Sequence, residues 1–335
     1  MKKHMPTILG NQRLRDQLCH DILGGTMAHA YILAGPRGSG KHTLAMQCAA
    51  AVACESKKDQ SAPFPCGVCP ACRKILDGKS PDVITVKKDG QSVKIDQIRA
   101  LQTDVRKVPN DLDDKFYVIE DAHTMTEEAQ NAFLLTLEEP PVFVHFFLLC
   151  DTEEALLETV RSRAPVLRTE PLPAEMVRAH LMRIAPEAAG LSGAALDDLL
   201  AIANGSVGRA LELLDEKERE PLIKQRRTAQ SLAEYALDRK FVPLIELVNA
   251  VGAKQDEWLP LLSLTQVVLR DLIALKRSET APLCFYTDRA AALERAYGHS
   301  VAALLGICDT LATAEERISR NANIKLTLTA MIAKL

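Results

Sequence analysis

The sequence predicts a three-layer α/β domain on a parallel sheet, followed by a small helical lid and an all-helical C-terminal domain. Three observations carry this reading. Short apolar, β-prone runs alternate with helical stretches up to about residue 165. A glycine-rich turn, Gly35–His42, follows the first of those runs directly and opens a helix. From about residue 168 the strand signals stop and helical periodicity takes over, so the boundaries read as 1–165, 166–214 and 215–335.

Composition supports a globular reading. The chain has 335 residues, 41 basic against 44 acidic for a net charge of −3, with 47% hydrophobic and 25% charged residues. These values exclude a disordered tail protein. No run of about 20 uncharged apolar residues predicts a membrane span, and Met1-Lys2-Lys3-His4-Met5-Pro6 does not lead into the apolar core of a signal peptide. The expected location is the cytoplasm, where thiols stay reduced, so nine cysteines call for an explanation other than disulfides.

Taken in order, Tyr31–Ala34 reads as a short apolar strand, and Gly35-Pro36-Arg37-Gly38-Ser39-Gly40-Lys41-His42 has the spacing of a phosphate loop. The glycines let backbone N–H groups turn inward around phosphates, and Lys41 would reach the β and γ oxygens at the positive end of the next helix. A chance glycine-rich turn is the alternative. The motif's last residue should carry a hydroxyl for Mg²⁺, and it is His42, whose imidazole suits a hard, oxygen-seeking ion poorly. Thr43 comes one residue late, which rotates its side chain by about 100° away. The loop is expected to hold ATP or ADP at most, with Mg²⁺ disfavoured and hydrolysis poorly supported.

Cys54, Cys66, Cys69 and Cys72 follow as C-x11-C-x2-C-x2-C within a turn-rich stretch holding Pro63, Pro65, Gly67 and Pro70. Four thiolates in such a turn can close a tetrahedral shell around zinc, which makes a structural site with no position left for water. An iron–sulfur cluster and uncoordinated core thiols are the alternatives. The module spans about 52–80. Cys19, Cys48, Cys150, Cys284 and Cys308 read as small core residues.

Phe116–Ile119 is the next strand, and it ends in Glu120-Asp121. Where a phosphate-loop ATPase carries Asp then Glu, the order here is inverted. The shorter Asp121 would fall about 1.5 Å short of the attacking water, and misplacement by about 1 Å can cost a hundredfold in rate. The alternative is a solvated acidic strand end. Thr126 caps a helix with Glu127 and Glu128 in its first turn, which Pro140 ends. Val142–Cys150 reads as a central strand of the sheet. The charged run Asp215–Glu220, followed by Pro221, marks either a boundary or a solvated helix face. Ile324, Leu328, Met331, Ile332 and Leu335 form one apolar stripe, serving either the core or an interface.

These motifs together resemble the bacterial DNA polymerase III clamp-loader subunits of the AAA+ family, the delta-prime type most closely. The resemblance runs from about Asn11 to the C-terminus. It is carried by Asn11-Gln12, His29-Ala30-Tyr31, the four-cysteine insertion, Val93–Arg99, and the run Glu128–Pro141 containing Leu137-Glu138-Glu139-Pro140-Pro141. It implies a P-loop NTPase-like AAA+ domain with a zinc-binding insertion, a helical lid and a collar domain whose helices assemble subunits into a ring. It places Asp151-Thr152 at the first sensor, with Thr152 facing nucleotide, and Arg209 at the second sensor, although motor subunits carry that arginine one position earlier. Arg161-Ser162-Arg163 resembles the Ser-Arg-Cys motif, with Ala164 in place of the cysteine. Arg163 would then act in trans as an arginine finger at a neighbour's ATP site, where a guanidinium can contribute about 10³ to 10⁵ in rate. A solvated loop arginine is the plain alternative.

The resemblance thus implies a component of the DNA polymerase III holoenzyme, active in DNA replication and not a catalyst by itself. Its partners would be the delta and gamma/tau subunits, with the sliding clamp and primed DNA reached through the assembled complex. Lys94, Arg99, Arg106 and Lys107 would face DNA only weakly, since no dense basic patch exists. A gamma/tau-type ATPase motor and a zinc-stapled scaffold without nucleotide function are the two competing readings.

Overall fold

In a computed structural model, which describes residues 9–57, 59 and 63–335, the chain divides into two compact units. The N-terminal stretch Met1–Pro6 lies outside the described residues. The first unit comprises the described residues up to 173 together with Ser206–Arg209, and the second comprises Ala174–Gly205 and Ala210–Leu335.

The first unit is a parallel five-stranded sheet: β1 (Ala30–Ala34), β2 (Val83–Val86), β3 (Lys115–Ile119), β4 (Val144–Cys150) and β5 (Val166–Arg168), in the order β2-β3-β4-β1-β5. Alternation along the strands builds two cores. Tyr31, Leu33, Phe116, Val118, Phe147 and Leu149 pack on α1 (Gln12–Gly24), α2 (Lys41–Val52) and α3 (Pro70–Leu76). Ile32, Tyr117, Ile119, Phe146 and Leu148 face α4 (Ile95–Val105), α5 (Glu127–Glu138) and α6 (Glu158–Arg161). Burial on both faces is why these strands read as unbroken apolar runs. The helix expected after Thr126 is α5, and the Thr126 hydroxyl accepts from the Ala129 N–H at 3.2 Å.

In this order β1 lies between β4 and β5, while the chain enters β2 after α2 and α3 on the far side. Ligands of open parallel sheets sit beyond the carboxyl ends of the strands at such a switch point. The phosphate loop after β1, the acidic pair after β3 and Asp151 after β4 all leave from that edge. Asp82 fixes the entry to β2. Its buried carboxylate accepts from the backbone N–H groups of Asn110 (2.6 Å), Asp111 (2.7 Å) and Leu112 (2.9 Å) and from the Asn110 amide. Burial opposes its ionisation, but these donors prevail and hold the carboxyl below the usual carboxylate range.

Helices only form the second unit: α7 (Ala174–Ile184), α8 (Gly193–Ala203), the end of α9 (Val207–Glu212), α10 (Glu216–Leu237), α11 (Phe241–Val251), α12 (Gln255–Arg277), α13 (Arg289–Tyr297), α14 (Val301–Ser319) and α15 (Ile324–Lys334). Its main core centres on the fully buried Trp258 of α12, whose indole N–H donates to the Gly252 carbonyl at 2.8 Å. The α12 helix is long and apolar enough to meet the length and composition of a membrane span, which the sequence reading did not anticipate. Its apolar residues are spent on this core, and its buried Asp271 accepts from the backbone N–H groups of Cys284, Phe285 and Tyr286. The charged run before Pro221 becomes the first turns of α10, capped by Asp215 and exposed except at the buried Arg219, which donates to the Leu213 and Leu214 carbonyls, and Pro221 sits inside that helix. Leu328 and Met331 are buried, while Ile324, Ile332 and Leu335 pack against the same core, so the terminal stripe serves the core. Cys19, Cys48 and Cys150 are buried and Cys308 is half-buried. Cys284 is exposed, contrary to expectation: its backbone, not its thiol, is what the fold holds, through Asp271.

Candidate functional site

The phosphate loop has the backbone its glycines require. Gly38 and Gly40 adopt φ of 74° and 89°, and Gly40 caps α2. At Gly35 an added Cβ would strike Thr169, whose hydroxyl lies 2.8 Å from that of Ser39. The expected cradle therefore forms, but its polar groups turn to the chain itself. Lys41 Nζ, with its side chain only 10% exposed, donates to the Gly35 carbonyl, to the Pro36 carbonyl at 3.1 Å and to Asp151 Oδ1 at 2.9 Å. The segment Ser206–Arg209 closes on the loop from outside. Gly208 N–H donates to the Gly38 carbonyl at 3.1 Å, and the Ser206 hydroxyl donates to the Arg37 carbonyl at 3.0 Å. Arg209 approaches through its backbone N–H, which donates to the Ser206 hydroxyl at 3.0 Å.

The metal position is rebuilt in the same manner. His42 Nε2 stands 3.6 Å from Glu120 Oε1, Lys87 Nζ 3.9 Å from Glu120 Oε2, and Lys88 Nζ 3.1 Å from Asp121 Oδ2. Thr43 is exposed. An imidazole at the hydroxyl position and two carboxylates facing the chain's own cations do not fit a hard divalent ion that needs a near-octahedral oxygen shell. At the first sensor the structure brings Asp151 to Lys41, whereas the Thr152 hydroxyl donates to Glu154. Thr169, Ser206 and the lysine pair Lys87-Lys88 are site residues that sequence reasoning missed, and Asp151, expected at the first sensor, was not expected to pair with Lys41. Only Gly208 beside Ser206 offered a local signal, a glycine where backbone must come close.

Beyond the loop, Arg163 follows α6. Its NH1 donates to the Thr159 carbonyl at 2.9 Å and the Ser162 hydroxyl at 3.3 Å, and its NH2 to Glu138 Oε1 at 2.6 Å. Both side chains are partly open to solvent, at 35% and 46% exposure. Leu135, one turn before Glu138 on the same face of α5, and Val142 are exposed apolar residues. Lys94, Arg99 and Lys107 each sit beside a carboxylate, of Asp89, Asp96 and Asp104, and Arg106 is exposed.

The four cysteines converge. Sγ atoms of Cys54, Cys66, Cys69 and Cys72 all lie within 4.8 Å of one another. The backbone N–H groups of Cys66, Cys69 and Cys72 point at the sulfurs of Cys54, Cys66 and Cys69 at 3.4–3.5 Å. Such donors favour thiolate, and although burial opposes them, the N–H groups of Val68 and Cys69 bring the Cys66 thiol down to about 6. Burial pushes Cys54 and Cys72 up, so the full thiolate set needs a cation to hold it. With metal–sulfur bonds of about 2.3 Å a tetrahedral shell has sulfurs about 3.8 Å apart, and the Cys66 and Cys72 sulfurs stand 3.9 Å apart. The donor set and its packing fit a metal ion.

The family model described as DNA polymerase III, delta subunit, matches residues 10–173. The chain belongs to the family of DNA polymerase III clamp-loader subunits of the delta-prime, tau and gamma type. It is 30% identical over 250 residues to the DNA polymerase III subunit delta' of Bacillus subtilis, covering 74% of this chain and 69% of that one. Against the subunit delta' of Pseudomonas aeruginosa it is 34% identical over 227 residues, covering 63% and 67%. Against the subunit tau of Salmonella typhimurium it is 29% identical over 279 residues, covering 76% of this chain but 41% of that one. The chain spans 32–41% of the length of these tau subunits. A solved gamma subunit-related protein of Thermotoga maritima aligns over 96% of this chain and 97% of that one, at 17% identity and a TM-score of 0.47.

Proposed function

We propose that the chain is the delta-prime-type subunit of a clamp loader: an AAA+ component, working in the cytoplasm, that completes the loader ring without hydrolysing ATP. It supplies Arg163 to the ATP site of a gamma/tau-type neighbour while the sliding clamp is placed on primed DNA. The observation that carries this reading is the internal pairing of the site. Lys41 is held by Asp151, and Glu120 and Asp121 face His42, Lys87 and Lys88, so the groups that would bind phosphate and Mg²⁺ are satisfied by the chain. Arg163 is different: it stands partly open, and its partner Glu138 has the exposed Leu135 and Val142 within four residues of it in sequence, as a group meant for a partner would.

Zinc at Cys54, Cys66, Cys69 and Cys72 would staple the 52–80 insertion onto α2 and play no chemical part. A division into residues 1–165, a lid over 166–214 and a collar over 215–335 accompanies this reading. DNA is met through the assembled ring, since Arg99 on α4 and Lys107 just beyond it already sit beside carboxylates.

The second reading, a gamma/tau-type motor, is favoured by the tau subunits among the relatives. ATP turnover by the purified chain with Mg²⁺ separates the two. The proposal expects no turnover above background; motor-like turnover that Lys41→Ala abolishes would reverse it.

A further inference from the structure

Arg163 is held at three points before any partner arrives, and one of them lies far away in sequence. The Thr159 carbonyl and the Ser162 hydroxyl belong to its own helix end, whereas Glu138 comes from the last turn of α5, 25 residues earlier. A guanidinium carries five N–H donors in a rigid plane. Three are occupied by these contacts, so the fork keeps free donors while its plane is fixed. An unheld arginine would explore many rotamers, and a finger that must meet a transferring phosphoryl group gains from having that freedom removed beforehand.

We propose that Glu138 is a positioning residue that sets the attitude of Arg163 toward the neighbour's nucleotide, acting as a hydrogen-bond acceptor on NH2. The proposal rests on the reading of Arg163 as a group acting in trans. Glu138 is placed for this by the end of its helix: Pro140 stops α5 one residue after Glu139, so the carboxylate projects at the helix terminus beside the Arg163 turn. There the carboxylate gains nothing from the helix dipole, whose negative end it adjoins; the arginine is the partner that offsets this cost.

The experiment is DNA-stimulated ATP turnover by a loader reconstituted with the wild-type chain or with Arg163→Ala, Glu138→Ala, Glu138→Gln or the Glu138→Ala/Arg163→Ala pair. Arg163→Ala should lower kcat by about 10³-fold, as loss of an arginine finger does. Glu138→Ala should lower kcat about tenfold at unchanged KM, the effect of a misaligned but present finger. Glu138→Gln should stay within about twofold of wild type, because the amide oxygen still accepts the hydrogen bond. In the double variant the Glu138→Ala effect should vanish, since it acts only through the arginine.

A Glu138→Ala rate at or above wild type overturns the proposal, since the carboxylate is then idle or masks the finger. So does a Glu138→Gln loss as deep as that of Glu138→Ala, or a Glu138→Ala effect that persists without Arg163. If Arg163→Ala itself leaves turnover unchanged, the trans reading falls and takes this inference with it. A drop for Arg163→Ala alone leaves the trans reading standing and removes only Glu138. Thermal unfolding guards the folding of each variant, with small shifts expected from so exposed a pair.

Discussion

The cysteine turn and the phosphate loop are both ligand-shaped, flank the same helix α2, and handle their polar groups in opposite ways. At the turn, four sulfurs converge and backbone N–H groups aim at them, an arrangement that collects thiolate donors around one point. At the loop every charge has an internal partner: Lys41 with Asp151, His42 and Lys87 with Glu120, Lys88 with Asp121. A group whose donors are taken up internally must give up those pairs on binding, whereas one that keeps free donors, as Arg163 does beside Glu138, need not. At Gly35–Lys41 the turn joins β1 to α2 and receives the Ser206–Arg209 segment.

The largest effect should come from breaking the turn. Structural zinc contributes on the order of 10 kcal/mol in small zinc domains, so chelation or Cys66→Ser should unfold the 52–80 module. Protease cleavage within it should appear, and atomic emission should fall from about one zinc per chain to none. If untreated protein holds no metal after anaerobic purification, the contrast between the two sites disappears.

Next comes Asp82, which anchors the loop at 110–112 beside the cysteine face of the sheet. Asp82→Ala strands three backbone donors, at a cost of about 3 kcal/mol by urea unfolding. Its carboxyl lies below the usual range when folded, so its contribution is complete above the unfolded value of about 3.9 and fades as pH falls through the folded value. Acid unfolding below about pH 4 should therefore lose part of its steepness in Asp82→Asn.

A smaller loss, about 2 kcal/mol, is expected for Gly208→Val, since an added Cβ would stand 2.9 Å from Gly38 Cα and 3.0 Å from its carbonyl oxygen. Urea unfolding measures it, and a neutral result would mean the segment does not brace the loop. Smallest is Lys88→Ala: an ion pair this exposed should contribute under about 1 kcal/mol, so the melting temperature should barely move.

What the sequence made legible was whatever is encoded locally. Strands β1 and β3 begin one residue before the runs Tyr31–Ala34 and Phe116–Ile119, Thr126 caps α5, and the cysteine spacing located a cluster that the fold closes. What stayed hidden were partners separated by long stretches of chain. Lys41 and Asp151 are 110 residues apart, and Ser39 and Thr169 are 130 apart; no periodicity marks such pairs. His42 and the inverted Glu120-Asp121 order drew attention to these positions, and the structure sets them 3.6 Å apart at His42 and Glu120. They could not show that Lys87 and Lys88 stand against the acids, because the β2–β3 pairing that sets those residues side by side is a property of the sheet. Cys284 looked like core for the same reason: the acceptor that holds its backbone, Asp271, lies on another element.

The central claim is that this chain's arginine matters to ATP turnover and its phosphate-loop lysine does not. DNA-stimulated turnover by a reconstituted loader carrying Lys41→Ala or Arg163→Ala tests it within one assembly. The account predicts that Lys41→Ala stays within about twofold of wild type while Arg163→Ala falls by about 10³. Loss of turnover with Lys41→Ala, and normal turnover with Arg163→Ala, would contradict it.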